Sequence, residues 1–308
     1  MTGFAGLEYP ITQVSLAVSD LEQTMADYHR LFGWSGWDVF HHQPPAHHDT
    51  ELRGEQVHYT LKGAEVMVGS LNFELLEPVD GPSLWKEFIG DRGEGIASIA
   101  TMFQTMDEGE AVKREFAERG MPVTMKANIG DHIEYYYLDT QDRFGCLIES
   151  GSGHATDFVS PAYVYPDEPT ASRAEITQVV AVVRDLEQRV GAYEEAFGWG
   201  PWKHFDGKEV MRDCELDGKP CDPFDVRWAK TTVGDLEFEL CEPGPGDSPW
   251  RRILDRRGEA IGGINVTGPG PDGFAVVARA RVGDGGEWRW FDTESTLKCT
   301  IGAGSLVR

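Results

Sequence analysis

Two glutamates sit inside apolar runs, Glu74 in LNFELLEP (71–78) and Glu149 in CLIES (146–150). Side chains of an extended segment alternate between faces, so Phe73 and Leu75 point one way and Glu74 the other. A carboxylate inside a sheet is costly to bury unless it is paired, hydrogen-bonded or bound to a metal. Residues kept in such places hold cations or move protons. The same alternation over Ile11 to Val18 puts Gln13, Ser15 and Ala17 on one face, with Val14, Leu16 and Val18 on the other, turned toward a helix. His132, Glu134 and Tyr136 share one face of a further strand, opposite Ile133, Tyr135 and Tyr137. If the first set faces a site, His132 supplies a base or a ligand; otherwise it belongs to an outward polar face. His41, His42, His47 and His48 surround Pro44 and Pro45 in an expected loop. Clustered histidines can bind metal, close as a lid or simply be exposed. No phosphate-cradling glycine loop, serine nucleophile elbow or Cys–His pair in a clear context is found.

The elements that position these residues come from a repeat. Residues 11–40 return at 176–205, and 71–99 at 236–264, both at an offset of 165. Within the first copy, Ile11 to Val18 predicts a strand. Ser19 and Glu22 then read as a capping box, and Leu21, Met25, Tyr28 and Leu31/Phe32 give a helix one apolar face. Gly33 ends that helix. Two strands are expected within 56–78, giving the order β-α-β-β-β. A second unit follows: a strand from Ile96 to Phe103, a helix from Glu108 to Arg119, and strands at about 132–138 and 144–150 with a turn at 139–143. Four such modules are expected in the chain. The last is eroded, because GPGPDGFAVVARARVGDGGE (268–287) leaves room for only a short helix. The domains read as 1–154 and 176–308. The proline-containing, aperiodic segment 155–175 reads as a linker. Trp34, Trp37 and Trp85 recur as Trp199, Trp202 and Trp250, which favours packing over a pocket lining.

The bulk numbers narrow the partners. With 308 residues the chain has about two domains. A formal net charge of −24 repels phosphate backbones and anionic membranes. Neither nucleic acid nor membrane is therefore expected, and a small-molecule partner is. The five cysteines, Cys146, Cys214, Cys221, Cys241 and Cys299, form no disulfide framework. Together with the lack of a signal-peptide pattern this predicts reduced thiols and a cytoplasmic setting. A homodimer is compatible with the sequence.

The strand, Asp-Leu, helix, Tyr and Phe-Gly pattern of 11–33, with FELLEP (73–78) and RGEGIASIA (92–100), resembles the vicinal oxygen chelate superfamily of glyoxalase I, methylmalonyl-CoA epimerase, extradiol dioxygenases and bleomycin-resistance proteins. With the repeat, the resemblance covers nearly the whole chain. It implies an α+β fold in which four βαβββ modules pair into two domains, each a cupped mixed sheet with flanking helices. It also implies a divalent metal held by the first and last strands of each module. Carried onto this sequence, those positions are Gln13, Glu74, Ser98 and Glu149, where histidine is usual at the first and third. The matching set in the second copy is Gln178, Glu239, Gly263 and Gly302, so its second half is lost.

An all-oxygen set suits Mg²⁺, Mn²⁺ or Ca²⁺ better than Zn²⁺ or Fe²⁺. The alternatives are that no metal binds and the carboxylates hydrogen-bond, or that one of them acts as a base. Gln178 and Glu239 can bond to each other across the sheet, as can Gln13 and Glu74. The leading expectation is an isomerase, epimerase or lyase moving a proton next to a carbonyl, with one active cup in the first domain. Glu149 would be base or ligand, Gln13 and Glu74 ligands or oxyanion-side partners, and His132 a second acid–base group. A non-catalytic binder of bleomycin-resistance type is the rival reading. A ring-cleaving dioxygenase is disfavoured because the histidine ligands are missing.

Overall fold

The computed structural model describes residues 6–103, 105–131, 133–153, 160–166, 168, 170–283 and 286–304. The first half runs β1 (Gln13–Ala17), α1 (Leu21–Phe32), β2 (Trp37–His42), β3 (His47–Leu52), β4 (Glu55–Gln56), β5 (Thr60–Val68), β6 (Leu71–Asp80), α2 (Leu84–Arg92), β7 (Gly95–Phe103), α3 (Met106–Glu118), β8 (Val123–Ile129), β9 (Ile133–Leu138), α4 (Gln141–Phe144), β10 (Leu147–Ser152) and β11 (Tyr163–Tyr165). The second half runs β12 (Ile176–Val182), α5 (Leu186–Phe197), β13 (Lys203–Asp206), α6 (Gly207–Val210), β14 (Met211–Leu216), β15 (Lys219–Pro220), β16 (Val226–Val233), β17 (Leu236–Pro243), α7 (Pro249–Arg257), β18 (Ala260–Val266), β19 (Val276–Val282), β20 (Gly286–Phe291), α8 (Glu294–Leu297) and β21 (Thr300–Gly304).

Each half makes one mixed sheet, and connectivity forces it to curl. The first sheet is ordered β11-β2-β5-β6-β1-β7-β10-β9-β8-β3-β4. Strands β2 and β3 follow each other in sequence yet lie near opposite ends of it. Laid flat at about 4.8 Å per strand they would be nearly 40 Å apart. The short link 43–46 cannot span that, so the ends must approach, and the His42 and His47 rings are 5.9 Å apart. The second sheet, β13-β16-β17-β12-β18-β21-β20-β19-β14-β15, closes the same way through α6. The result is two cups flanked by helices, as the family resemblance implies.

The convex side of the first sheet carries the predicted apolar stripe. Val14, Leu16 and Val18 pack with Leu21, Met25, Tyr28 and Phe32 of α1. Gly33 closes α1 in the left-handed conformation at φ 71°. The N-cap is Asp20, not Ser19: its carboxylate accepts from the Gln23 amide at 2.9 Å. Ser19 instead offers its own backbone N–H to Glu94 at 2.7 Å. On the concave side, Leu84, Trp85 and Phe88 of α2 join Tyr59, Met125, Tyr135 and Tyr137 and fill one end of the cup.

Several local expectations are corrected. The strands expected within 56–78 are β5 and β6, and the structure adds β2, β3 and β8 to those the sequence predicts. The histidine cluster is not a long loop, since His41 and His42 end β2 while His47 and His48 begin β3. Among the described residues no helix lies between β18 and β19, and AVVARARV contributes β19 instead. Within the segment read as linker, β11 adds an edge strand by pairing Tyr163 to Tyr165 with β2.

The halves hold each other reciprocally. Trp34 Nε1 donates to the Ala174 carbonyl at 2.8 Å, and Trp199 Nε1 to the Tyr9 carbonyl at 2.9 Å. Tyr28 Oη donates to the Leu297 carbonyl at 2.8 Å, and Tyr193 Oη to the Phe144 carbonyl at 3.1 Å. All five cysteines are free thiols. Among the described residues no helix is long and apolar enough to cross a membrane.

Candidate functional site

Gln13, Glu74, Ser98 and Glu149 come from β1, β6, β7 and β10, four strands that are neighbours at the centre of the first sheet. Register places Ser15 directly opposite Glu74 on one side and Ser98 on the other. Glu149 lies opposite Tyr137 of β9. All of these side chains are buried. Ser98 Oγ donates to Glu149 Oε2 at 3.3 Å, and the Tyr137 hydroxyl also hydrogen-bonds to Glu149. Glu65 of β5 is the cross-strand partner of Glu74 and accepts from Asn72 Nδ2 at 2.8 Å.

Three carboxyls therefore share one cup, Glu74 and Glu149 buried and Glu65 half-buried. Burial raises Glu74 well above the usual carboxylate range, and negative charge on Glu149 and Glu65 adds to it. The Ser15 hydroxyl and Gln13 amide beside it pull only weakly the other way. Glu149 is raised to about 7, mainly by burial; Glu65 pushes it up, while Tyr137 and Ser98 hold it down by favouring the anion. Glu65 is raised too, again chiefly by burial. The neighbours that set these values are hydroxyls, amides and other carboxyls, not lysine or arginine. Two carboxyls whose surroundings push them to different acidities are the arrangement from which acid and base roles are assigned.

Gln13, Glu74 and Glu149 offer oxygens, and Glu74 Oε2 has no hydrogen-bond partner. That donor chemistry is compatible in kind with a hard divalent cation. Among the described residues, however, no three His, Cys, Asp or Glu side chains are grouped as metal ligands.

His132 lies outside the described residues. Its strand is described from Ile133, where Tyr135 and Tyr137 belong to the cup cluster. Glu134 and Tyr136 face helix α3: Lys113 Nζ donates to Glu134 at 2.6 Å, and Tyr136 Oη donates to the Gly109 carbonyl at 3.4 Å. The histidine that reaches the cup is His47, which is buried with Nε2 2.8 Å from the Tyr135 hydroxyl. Tyr135 Oη is in turn 3.1 Å from Tyr59 Oη. Burial lowers His47 to about 4, so the ring is neutral. Sequence reasoning missed Ser15, Glu65, Tyr59, Tyr135, Tyr137 and His47 as site residues. A signal was available for five of them, because the second copy puts Val180, Lys230, Phe224, Trp288 and Trp290 at the places of Ser15, Glu65, Tyr59, Tyr135 and Tyr137.

The second cup is built on the same frame and filled. Gln178 Nε2 donates to Glu239 Oε2 at 2.8 Å, and Cys241 Sγ to Glu239 Oε1 at 3.1 Å. Asn265 Nδ2 donates to the Gln178 carbonyl oxygen. Trp250 stacks on Trp288 at 5.0 Å, and Trp288 meets Trp290 at 5.4 Å. A side chain on Gly302 would collide with Asn265 Oδ1 at 1.8 Å, and one on Gly263 with the Thr300 carbonyl at 2.2 Å.

Comparison with known proteins agrees with this architecture. Residues 12–137 match the family model described as Glyoxalase/Bleomycin resistance protein/Dioxygenase superfamily. No curated protein matches the chain in sequence. Among solved structures, the chain is similar to a mutant 4-hydroxymandelate synthase from Streptomyces coelicolor, at 13% identity and a TM-score of 0.59, covering 98% of this chain and 94% of that one. It is also similar to a fusion of a xylose isomerase-like TIM barrel and 4-hydroxyphenylpyruvate dioxygenase, at 11% identity and a TM-score of 0.55, covering 99% of this chain and 50% of that one. At these identities the likeness is one of fold.

Proposed function

We propose, for a chain whose residues 12–137 belong to the glyoxalase, bleomycin resistance protein and dioxygenase superfamily, that the first cup moves a proton next to a carbonyl of a small organic substrate. The reaction class is isomerisation, epimerisation or a lyase step. The observation that carries this reading is the pair of buried carboxyls Glu74 and Glu149, with the half-buried Glu65 beside them, bonded to hydroxyls and amides without a cation, in one cup. Structural carboxyls this deep are ordinarily paired with a base. Lys230 of the second cup stands where the first has Glu65, directly across from Glu239.

Glu149 takes the proton. With its pKa near 7 it is partly ionised at neutral pH and well matched to accept one. Glu74, held protonated more strongly, donates to the carbonyl oxygen as negative charge develops there. Ser98 and Tyr137 fix the Glu149 carboxylate. Gln13 orients Glu74. A divalent cation, if held by Gln13, Glu74 and Glu149, would supply further polarisation of that carbonyl.

The test is solvent exchange. The protein is incubated in D₂O with 2-oxo acids, α-hydroxyketones and acyl thioesters, and loss of the α-proton signal is followed by NMR. Exchange of one class by the native chain, abolished in Glu149→Gln, is expected. Native-rate exchange in Glu149→Gln would remove Glu149 from the mechanism. Binding without exchange of any class would instead favour a sequestering protein. The same assay after chelation, and with Mg²⁺ or Mn²⁺ restored, reads any metal requirement.

A further inference from the structure

Charge is inverted between the halves along one row of the sheet. In the first half Asp38 of β2, Glu65 of β5 and Glu74 of β6 lie directly opposite one another across two antiparallel pairs, so the three side chains share the concave face. The same row in the second half reads Lys203, Lys230 and Glu239. There the cup supplies its own cation. Lys230 is buried, its Nζ bonds Glu237 at 3.0 Å and stands 6.0 Å from the centre of the Phe205 ring, and its charge eases that of Glu239. The first half keeps the acid as Glu74 and the ring as Phe40, but has acids in place of both lysines. Asn72 stands where the second half has Glu237; it donates to Glu65 at 2.8 Å and brings no charge.

The surroundings do not restore the missing cation. Lys62 and Lys126, on strands β5 and β8, are engaged by Glu22, Glu77 and Glu51. The groups that face the row from the neighbouring strands are Gln13, Ser15, Ser98, Glu149, Tyr135 and Tyr137. His42 stacks on Phe40, and burial lowers it to about 4, so it is neutral. Glu74 is only 6% exposed, and its Oε2 has no hydrogen-bond partner. Yet the row can be reached from outside. Asp38 is exposed, Met67 on the same face of β5 as Glu65 is 62% exposed, and Phe40 lines a cleft of about 220 Å³ with His42 and Ile129.

We propose that the substrate of the first cup carries an ammonium group, seated against Glu65 between Asp38 and Glu74 with the Phe40 ring beside it. This deepens the proton-transfer reading by naming the substrate class of the same site. The carbonyl comes from that reading, and the ammonium comes from the inverted row. Glu65 is less strongly raised than Glu74, so it meets the cation as an anion while Glu74 keeps its proton. A ring face and a carboxylate together suit an ammonium. A carboxylate or phosphate on the substrate would face acids alone, and like charges brought together are rejected.

The probes are the (2-oxopropyl)trimethylammonium cation, its uncharged carbon isostere 4,4-dimethylpentan-2-one, and the anion 4-oxopentanoate. Binding to the full chain is read by isothermal titration calorimetry at pH 6 and pH 8. The cation should bind tighter than its isostere by about tenfold or more, with the anion weakest. Its affinity should rise with pH, because seating a cation drives protons off the raised acids. Glu65→Lys, which gives the first row the residue of the second, should abolish the preference for the cation. Glu65→Gln should weaken the cation alone, with the melting temperature confirming that both variants fold. Equal affinity for cation and isostere, no binding of the cation, or a native preference in Glu65→Lys would each overturn the proposal. Binding of the cation without exchange of its α-protons in D₂O would overturn the proton-transfer reading and leave the cation site standing. Exchange of the uncharged ketone with no preference for the cation would do the reverse.

Discussion

The two cups share a backbone and differ in what fills them. Across the first, Ser15, Glu65, Tyr135, Tyr137 and Glu149 bring hydroxyls and acids inward. At the same places the second has Val180, Lys230, Trp288, Trp290 and Gly302. Tryptophan in place of tyrosine adds bulk and removes the hydroxyl, and glycine in place of glutamate yields the room the rings need. The lesson is that a curled sheet carries either a set of buried acids and hydroxyls or an aromatic core through a handful of inward side chains. Glu239 survives in the core version because Gln178, Cys241 and the Lys230 charge accommodate it, whereas Glu74 has Ser15 and Gln13 beside it but other acids where Glu239 has a cation.

The contrast breaks most visibly at the acids. Glu149→Gln should lower α-proton exchange by about 10²–10⁴, whereas Glu239→Gln should leave the exchange rate unchanged; equal effects would mean that both cups act. Rebuilding the second cup should fail. Gly302→Glu puts new atoms against Asn265 and Trp290, and overpacking of that kind costs roughly 1–3 kcal/mol or more, read as a lower denaturant midpoint.

A third test concerns pH and stability. Glu149 and Glu239 are each raised to about 7 by burial. A carboxyl raised on folding stabilises fully below its unfolded pKa, near 4.3, and that contribution is lost as pH rises through 7. Glutamine at either position carries no such loss. Both Glu149→Gln and Glu239→Gln should therefore gain stability relative to the native chain as pH rises from 5 to 8, by on the order of 3 kcal/mol at pH 8, read as a rising difference in melting temperature. A gap independent of pH would refute the shifted acidities. The smallest effect is expected from Ser98→Ala, which removes one long hydrogen bond from the Glu149 anion. Its acidic pH–rate limb should move upward by a fraction of a unit, with little change in maximal rate.

The fold was legible because duplication repeats every signal. The stripe of Leu21, Met25, Tyr28 and Phe32, the Gly33 stop and the inward Glu74 all follow from period and chemistry within short stretches. The curl was less visible. The return of β3 to β8 is a long-range pairing with a bulge between His48 and Glu51, and a bulge breaks the alternation that sequence reasoning relies on. His47 was hidden for that reason. Tyr135 and Tyr137 alternate with Glu134 and Tyr136, but periodicity alone does not say which face is concave. The Tyr137 bond to Glu149 does.

The reciprocal bonds of Tyr28 to Leu297 and Tyr193 to Phe144 have a last consequence. Two separate subunits related this way would come apart on dilution, at a rate set by their affinity. Here a covalent tether fixes the effective concentration of each half for the other. The second half can then differ chemically from the first, provided it keeps its grip. Saturation of this protein should accordingly reach one ligand per chain at any protein concentration.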